Sequence, residues 1–274
     1  MINNLQNINV NSSSSEKIDF NIKDRPYLIK NFSKNWPAQK KWDFDFIKNL
    51  DENAEVNTVM GNAAGGKKNI TKTLLKDYIE NINSENFDAY LTTFHLFKKF
   101  PFLKKDIDIE LIKKRSFFQH LLAWIGPKET ITGFHVDWSE NINVQISGKK
   151  DFFLVNPKYN QYMYESDTFE RISKTSMVDL NNLDLQNFPL FKKAQIEKFT
   201  LEKSDAIYIP RGWWHFVKSQ MPSISVSIHY WSLKNSLRDL PIELTKVFLH
   251  DIGIYKKDNC ACHQIVDGVR IKRG

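Results

Sequence analysis

Short apolar runs broken by turn residues fill the middle of the chain, over residues 117–231. Runs of this length and spacing predict short β-strands joined by tight turns, as in a small β-barrel or jelly roll. The clearest pair is predicted over 143–146 and 149–155, with a Ser-Gly turn between them that suggests a hairpin. Period-two alternation then puts Lys150 and Leu154 on the same face of the second strand.

Apolar residues at helical spacing lie on both sides of this region. They predict a helix within 36–50, a second over 70–82 and a C-terminal helix in which Pro241 lies near the start. The C-terminal helix has an apolar stripe formed by Leu237, Leu240, Leu244, Val247 and Phe248. Such a stripe serves core packing or a homodimer contact. The predicted fold class is therefore mainly β with flanking helices: a double-stranded β-helix of the cupin or jelly-roll type with a C-terminal helical segment.

The composition of the chain changes abruptly near residue 18. Residues 1–17 are rich in Asn and Ser and offer too little apolar surface to offset the entropy of ordering, which predicts a flexible tail. We expect one domain over 18–232, including its N-terminal helical and strand elements, and a C-terminal helical appendage and tail over 233–274.

The composition indicates the cellular compartment and the kinds of partner that we expect for this protein. The 274 residues include 20 Phe, but only two Cys, which are separated by a single residue and so poorly placed to staple a fold. No apolar stretch approaches the roughly 18 residues of a membrane span, and we expect a soluble, cytoplasmic protein without membrane contact. The formal charge of +7 is spread along the chain, which favours a solvated surface over a nucleic-acid patch.

Three residues could form a metal centre. His135 and Asp137 are two positions apart on a predicted strand, so their side chains project to one face, and a distant His215 could complete the set. Two imidazoles and one carboxylate occupy three coordination positions of an Fe(II) ion and leave the others open for a co-substrate and O2. An isolated His-x-Asp is common by chance, so the surrounding sequence must show whether this pair indicates a metal site.

Lys150 is predicted to point into the barrel, where an unpaired ammonium costs several kcal/mol. No acidic residue is an evident partner for it in the sequence. A bound co-substrate would supply the missing anion.

The sequence around these residues resembles the cupin-like JmjC oxygenases, among them the asparaginyl hydroxylase that inhibits hypoxia-inducible factor. The resemblance covers roughly residues 20–232. Its motifs are Arg25-Pro26, Trp36-Pro37, Trp124-Ile125-Gly126-Pro127, Thr132 to Asp137, Asn141, Gln145 to Lys150, Asn156-Pro157 and Tyr208 to His215.

The resemblance implies a double-stranded β-helix that binds Fe(II) and 2-oxoglutarate. By position, His135, Asp137 and His215 would be the metal ligands and catalytic centre. Lys150 would pair with the distal carboxylate of 2-oxoglutarate, with Thr132 and Tyr90 hydrogen-bonding to the same co-substrate. It also implies that oxidation of 2-oxoglutarate by O2 to succinate and CO2 is coupled to hydroxylation of a substrate C–H bond.

One position departs from the family pattern. Two residues before Trp231 the family often has Asn, whereas this chain has His229. His229 is therefore a candidate to bind a co-substrate oxygen or to tune the metal, with an ordinary buried histidine as the equal alternative.

The leading hypothesis is an Fe(II)- and 2-oxoglutarate-dependent hydroxylase acting on a peptide or protein side chain. An RNA-nucleoside hydroxylase is the first alternative, motivated by a pI of about 9.1. An N-methyl demethylase and a cupin-like binding protein without turnover are the others.

A second group of metal-ligand residue types lies near the C-terminus. Cys260-Ala261-Cys262-His263 resembles half of a zinc site but lacks the usual C-x2-C spacing and a second ligand pair nearby. We interpret it as incidental clustering.

Overall fold

The computed structural model describes residues 8–10, 14–15, 18, 24–61, 70–114, 116–171, 173–231, 233–257, 259–266 and 269–272. Most of the predicted tail over 1–17 lies outside the described residues. Two short pieces of it are strands at the edges of the sheets.

The described residues contain seventeen strands. They are β1 Ile8–Val10, β2 Ser14–Ser15, β3 Tyr27–Ile29, β4 Glu55–Met60, β5 Ile70–Leu74, β6 Ala89–Phe94, β7 Phe118–Gly126, β8 Ile131–Asp137, β9 Glu140–Ser147, β10 Lys150–Val155, β11 Ser173–Thr175, β12 Ile196–Leu201, β13 Ala206–Ile209, β14 Trp214–Ser219, β15 Ser223–Trp231, β16 His263–Val266 and β17 Val269–Lys272.

The helices are short apart from the last. They are α1 Ala38–Lys41, α2 Phe44–Lys48, α3 Leu75–Glu80, α4 Leu96–Lys99, α5 Glu110–Lys113 and α6 Leu233–Asp251, with 3-10 turns at Pro101–Asp106, Pro157–Tyr162 and Pro189–Lys193. Among the described residues, no helix is both long and apolar enough to cross a membrane.

Two sheets form the body of the molecule. The first has the strand order β1-β12-β10-β14-β8-β11, and the second has β2-β3-β13-β9-β15-β7-β6-β4-β5. Pairing is antiparallel apart from the terminal strands β1 on β12 and β2 on β3. This mainly β architecture with few helices confirms the predicted fold class, a double-stranded β-helix.

Each sheet has a separate apolar core on its outer face. The second sheet packs there against the N-terminal helices, through residues such as Trp42, Tyr78 and Ile142. The first sheet is covered by the segment between β10 and β12, through residues such as Phe153 and Phe191. A smaller cluster of residues from both sheets packs between them. The remaining interior positions are free to form a site.

The turn at Gly148 carries the chain from one sheet to the other. The strands predicted on either side of it are present, but the predicted hairpin is wrong: β9 pairs with β13 and β15, whereas β10 pairs with β12 and β14. Gly148 has a φ of +81°, and a Cβ there would lie 2.2 Å from the carbonyl oxygen of Pro222. Only glycine fits this crossing without strain.

The C-terminal segment differs from expectation in two ways. Helix α6 begins at Leu233, so Pro241 lies inside it and not near its start. Past the helix, β16 and β17 form an antiparallel pair that the sequence did not predict.

Candidate metal centre and co-substrate pocket

The three predicted metal ligands come together on two neighbouring strands of the first sheet. His135 and Asp137 lie on β8, and the antiparallel register places His215 of β14 directly opposite His135. The two imidazole rings lie 3.9 Å apart, centroid to centroid. Strand pairing therefore brings residues 80 positions apart in the chain into one cluster.

The ligand atoms of this cluster face one another. The Nε2 atoms of His135 and His215 lie 3.9 and 3.5 Å from the nearer carboxylate oxygens of Asp137. Each Nδ1 lies within hydrogen-bond distance of a backbone carbonyl two residues earlier, 2.9 Å from Gly133 and 3.1 Å from Trp213. Donation from Nδ1–H to these carbonyls leaves the Nε2 lone pairs for a metal ion.

Asp137 stays ionised in this environment. Burial alone would raise the pKa of its carboxyl group, but the neighbouring imidazoles of His215, His229 and His135 outweigh burial and lower it. An ionised carboxylate with two imidazoles is a donor set that fits a divalent transition metal with open coordination positions. His135, Asp137 and His215 are therefore placed to hold an iron ion.

Lys150 crosses the interior between the sheets. It is 1% exposed, and its Nζ donates hydrogen bonds to Ser225 Oγ at 2.9 Å and to Tyr90 Oη at 3.2 Å on the second sheet. Among the described residues it forms no ion pair. Burial lowers its pKa to about 7. A buried cation surrounded by hydroxyl groups alone fits an anionic ligand that completes the pair.

Tyr90 and Thr132 lie beside this lysine. Burial raises the pKa of Tyr90, and a hydrogen bond with Thr132 acts in the opposite direction. Gly126 makes room for the tyrosine, because a Cβ there would lie 2.6 Å from Cδ2 of the Tyr90 ring. The structure thus brings Lys150, Thr132 and Tyr90, the three residues that the resemblance assigned to 2-oxoglutarate, into one place.

All of these side chains line a single cavity between the sheets. It is lined by Tyr90, Thr92, Leu122, Trp124, Thr132, His135, Asp137, Asn141, Asn143, Lys150, Phe152, Glu170, Ser173, Thr175, His215, Val217, Ser227 and His229. Within the described chain, Oδ1 of Asn141, Oδ1 of Asn143 and Oγ1 of Thr175 are buried without a hydrogen-bond partner. Buried polar atoms in this state indicate a ligand or water that pairs with them.

His229 also faces the cavity. Its Nδ1 lies 3.0 Å from Ser139 Oγ and 3.8 Å from a carboxylate oxygen of Asp137. Burial lowers its pKa, with Asp137 acting against this and His215 adding to it. The position that departs from the family pattern is thus next to the predicted metal ligands.

Several cavity residues were missed in the sequence. Asn143, Ser225 and Ser227 line or border it, and Ser227 Oγ accepts hydrogen bonds from Asn143 Nδ2 and Trp124 Nε1. The signal was a small polar residue at every second position of the otherwise apolar strand β15. Trp213 and Trp214, which directly precede His215, are buried in apolar clusters and do not line the cavity.

A β-helix with two imidazoles and a carboxylate facing its interior defines a metal-binding cupin. The chain belongs to the cupin-like domain family, whose model matches residues 13–235. The chain is also similar to proteins named for the JmjC domain.

Three similar proteins with different names are the following. JmjC domain-containing protein D of Dictyostelium discoideum is 31% identical over 234 residues, covering 77% of this chain and 52% of that protein. Lysine-specific demethylase JMJ30 of Arabidopsis thaliana is 32% identical over 225 residues, covering 78% and 51%. Human tRNA wybutosine-synthesizing protein 5 is 28% identical over 227 residues, covering 74% and 70%. The chain spans about half the length of the first two.

Proposed function

We propose that this protein is an Fe(II)- and 2-oxoglutarate-dependent dioxygenase that hydroxylates a C–H bond of a peptide or protein side chain. The observation that carries the proposal is the pairing of two features in one cavity. His135, Asp137 and His215 offer three metal ligands, and Lys150 offers a buried ammonium group that forms no ion pair with any described residue. A metal-chelating dicarboxylate is the ligand that satisfies both.

Each residue has a defined task in this proposal. The three ligands hold Fe(II), which with bound 2-oxoglutarate supplies the chemistry that activates O2. Lys150 pairs with the distal carboxylate of the co-substrate, while Tyr90 and Thr132 orient that end by hydrogen bonds. His229 holds Asp137 or contacts a co-substrate oxygen. Asn141 and Asn143 offer acceptors at the cavity wall.

The substrate class is the next part of the proposal. Relatives named as lysine-specific demethylases and the resemblance to an asparaginyl hydroxylase both support a protein side chain as the substrate. Hydroxylation and demethylation differ in product: a hydroxylated N-methyl carbon is lost as formaldehyde. Incubation with candidate peptides, followed by mass spectrometry for a gain of one oxygen atom and by formaldehyde detection, separates the two.

An RNA nucleoside is the second candidate substrate. The similarity to a protein named for tRNA wybutosine synthesis, of which 70% is covered, favours it together with the excess of basic residues. RNA binding that weakens steeply with salt and a mass gain on RNA would support it, because phosphate contacts release counterions. Absence of both succinate release and a modified macromolecule would instead indicate a binding protein without turnover.

The experiment that tests the proposal is anaerobic. Fe(II) and then 2-oxoglutarate are added to purified protein, and the visible charge-transfer band of chelated co-substrate is measured. Wild type should show the band, and His135→Ala should lose it. Lys150→Met should need much more 2-oxoglutarate, whereas the matched control Lys149→Met, whose ammonium pairs with Glu202 at the surface, should behave as wild type. No band in folded, metal-loaded wild type would contradict the proposal.

We also propose a cytoplasmic location and a homodimer formed through α6. The two cysteines are free thiols, which suits a reducing compartment. Helix α6 exposes Leu237, Leu244 and Phe248, which lie on one face at helical spacing, and an exposed apolar face of this kind suits a second copy of the chain. Fractionation of cells and light scattering of the purified protein test the two.

A further inference from the structure

A second cluster of metal-ligand side chains lies at the C-terminal end, outside the cavity. His250 is in the last turn of α6, and Cys260, Cys262 and His263 follow at the entry to β16. The sequence displayed only three of the four residues close together, which is why they suggested half a site. Folding of the loop after α6 adds His250 as the fourth.

The spacing of the four ligand atoms is close to that of a tetrahedral zinc site, and all four lie within 4.8 Å of one another. The Nε2 of His250 lies 3.1 Å from Nδ1 of His263 and 3.3 Å from Sγ of Cys262. The same Nδ1 lies 3.4 Å from Sγ of Cys262 and 3.6 Å from Sγ of Cys260. Zinc–sulfur bonds of about 2.3 Å and zinc–nitrogen bonds of about 2.0–2.1 Å at tetrahedral angles require separations of about 3.3–3.8 Å.

Hydrogen bonds alone do not account for this convergence. Nδ1 of His263 faces three other ligand atoms, yet one ring nitrogen offers either one proton or one lone pair and so makes one well-directed hydrogen bond. A disulfide does not account for it either, because both cysteines are free thiols. A single cation at the centre satisfies all four atoms together.

The surroundings hold the ligands in position. Nδ1 of His250 lies 2.7 Å from the carbonyl oxygen of Tyr255, so that its Nε2 faces the cluster. The His250 ring is fully buried and packs on Phe169, with 4.1 Å between ring centroids. An oriented, buried imidazole is typical of a structural metal ligand.

We propose that His250, Cys260, Cys262 and His263 bind one structural zinc ion. Two thiolates and two imidazoles form a donor set that selects zinc, and four protein ligands leave no open position for catalysis. The site shares no residue with the centre formed by His135, Asp137 and His215, so it neither needs nor supports the oxygenase proposal.

The zinc ion would fasten the C-terminal segment to the cavity wall. The backbone N–H of Phe169 donates to Asn259 O at 2.8 Å, and that of Ala261 donates to Phe169 O at 3.0 Å. Arg171 pairs with Asp251 at the end of α6. Glu170, between these contacts, lines the cavity. Removal of zinc should therefore loosen this part of the wall.

The first test is metal content, measured in His135→Ala protein so that the cavity centre does not contribute. After zinc loading and gel filtration, we expect about one zinc ion per chain. Adding Cys260→Ser and Cys262→Ser should remove it. The matched control His120→Ala, a histidine outside both clusters, should keep it. Zinc-free His135→Ala protein, or zinc retained by the double cysteine variant, would overturn the proposal.

A second measurement does not depend on how well the cysteine variants fold. X-ray absorption at the zinc edge of the loaded His135→Ala protein should show two sulfur and two nitrogen neighbours. A shell of nitrogen and oxygen alone would overturn the proposal. In otherwise wild-type protein, Cys260→Ser with Cys262→Ser should keep the charge-transfer band of the cavity, so the two proposals fail separately.

Discussion

At the scale of single residues, Lys150 shows how burial sets the behaviour of a charge. Its aliphatic stem and ammonium lie between two sheets, with two hydroxyl groups as its hydrogen-bond partners. The surrounding protein stabilises the neutral amine relative to the ammonium, which is why the pKa is lowered. A bound carboxylate reverses this balance.

The lowered pKa of Lys150, about 7, predicts a pH-dependent affinity for 2-oxoglutarate. Above pH 7 the lysine of the unliganded protein is mainly neutral, so binding of the carboxylate must take up a proton. The affinity should then fall as pH rises from about 7 to 9, by up to about tenfold per pH unit. Anaerobic titration across this range checks it. The same slope in Lys150→Met would show that another group is responsible.

The ligand set predicts the effect of removing one donor. His135→Ala or Asp137→Ala should lower turnover more than about 100-fold, because even residues that only support metal ligands cost about 10–100-fold. Succinate formation in the presence of substrate is the measurement. Turnover equal to wild type in either variant would exclude these residues as metal ligands.

Gly126 predicts a steric effect on the co-substrate pocket. In Gly126→Ala the new methyl group would meet the Tyr90 ring at 2.6 Å, so the ring must leave its position beside Lys150 or the strand must shift. We expect a loss of about 1–3 kcal/mol in the free energy of unfolding and weaker 2-oxoglutarate binding. Urea denaturation measures the first. The cost of Gly126→Ala should shrink in a Tyr90→Leu background, and an unchanged cost there would place the clash elsewhere.

At the scale of elements, the crossing at Gly148 shows that the sequence can predict a strand without predicting the strands with which it pairs. Both strands beside it have the expected alternation, and every residue of β10 is buried. Phe153 and Val155 pack on the outer face of the first sheet, while Phe152 and Leu154 pack inside. Such a strand needs partners on two sides, and only the whole sheet supplies them.

Helix α6 predicts the oligomeric state. If its exposed apolar face binds a second copy, Leu244→Glu with Phe248→Glu should convert a dimer into a monomer, because the introduced carboxylates would lose hydration in the contact. Light scattering coupled to gel filtration measures the mass. The control Phe102→Glu, at an exposed phenylalanine outside the helix, should leave the mass unchanged. A monomeric wild type would contradict the homodimer.

At the scale of the whole molecule, the cavity joins the two sheets. Lys150 and the metal ligands belong to the first sheet, while Tyr90, Asn141 and His229 belong to the second. A ligand bound between them contacts both sheets at once. Its binding free energy therefore adds to the stability of the folded state.

This coupling predicts stabilisation by ligands. With Mn(II), which accepts the same nitrogen and oxygen donors, and 2-oxoglutarate at about 100 times its dissociation constant, the free energy of unfolding should rise by about 2.7 kcal/mol. Chemical denaturation with and without the ligands measures it. In His135→Ala the increase should be much smaller, and equal stabilisation there would mean that the ligands bind outside the predicted centre.

The sequence by itself determined the local features of this protein. The two-residue period predicted strands in the middle of the chain, but not β5, which lies in the predicted helix over 70–82, nor β16 and β17. The alternation placed Lys150 with the interior residues, and the spacing of His135 and Asp137 put both on one face. These features depend on near neighbours in the chain. The ordered motifs added the distant His215 through resemblance to a family.

The tertiary structure decided everything that depends on contacts between distant segments. It paired β9 and β10 with different partners, lined the cavity with the alternate polar residues of β15, and brought His250 to Cys260, Cys262 and His263. Local periodicity states which face of a strand is buried, but strand partners are chosen by packing and hydrogen bonding across the whole sheet. For this reason only Cys260, Cys262 and His263 were recognisable as a group in the sequence, whereas the fold brings His250 to them as a fourth candidate ligand.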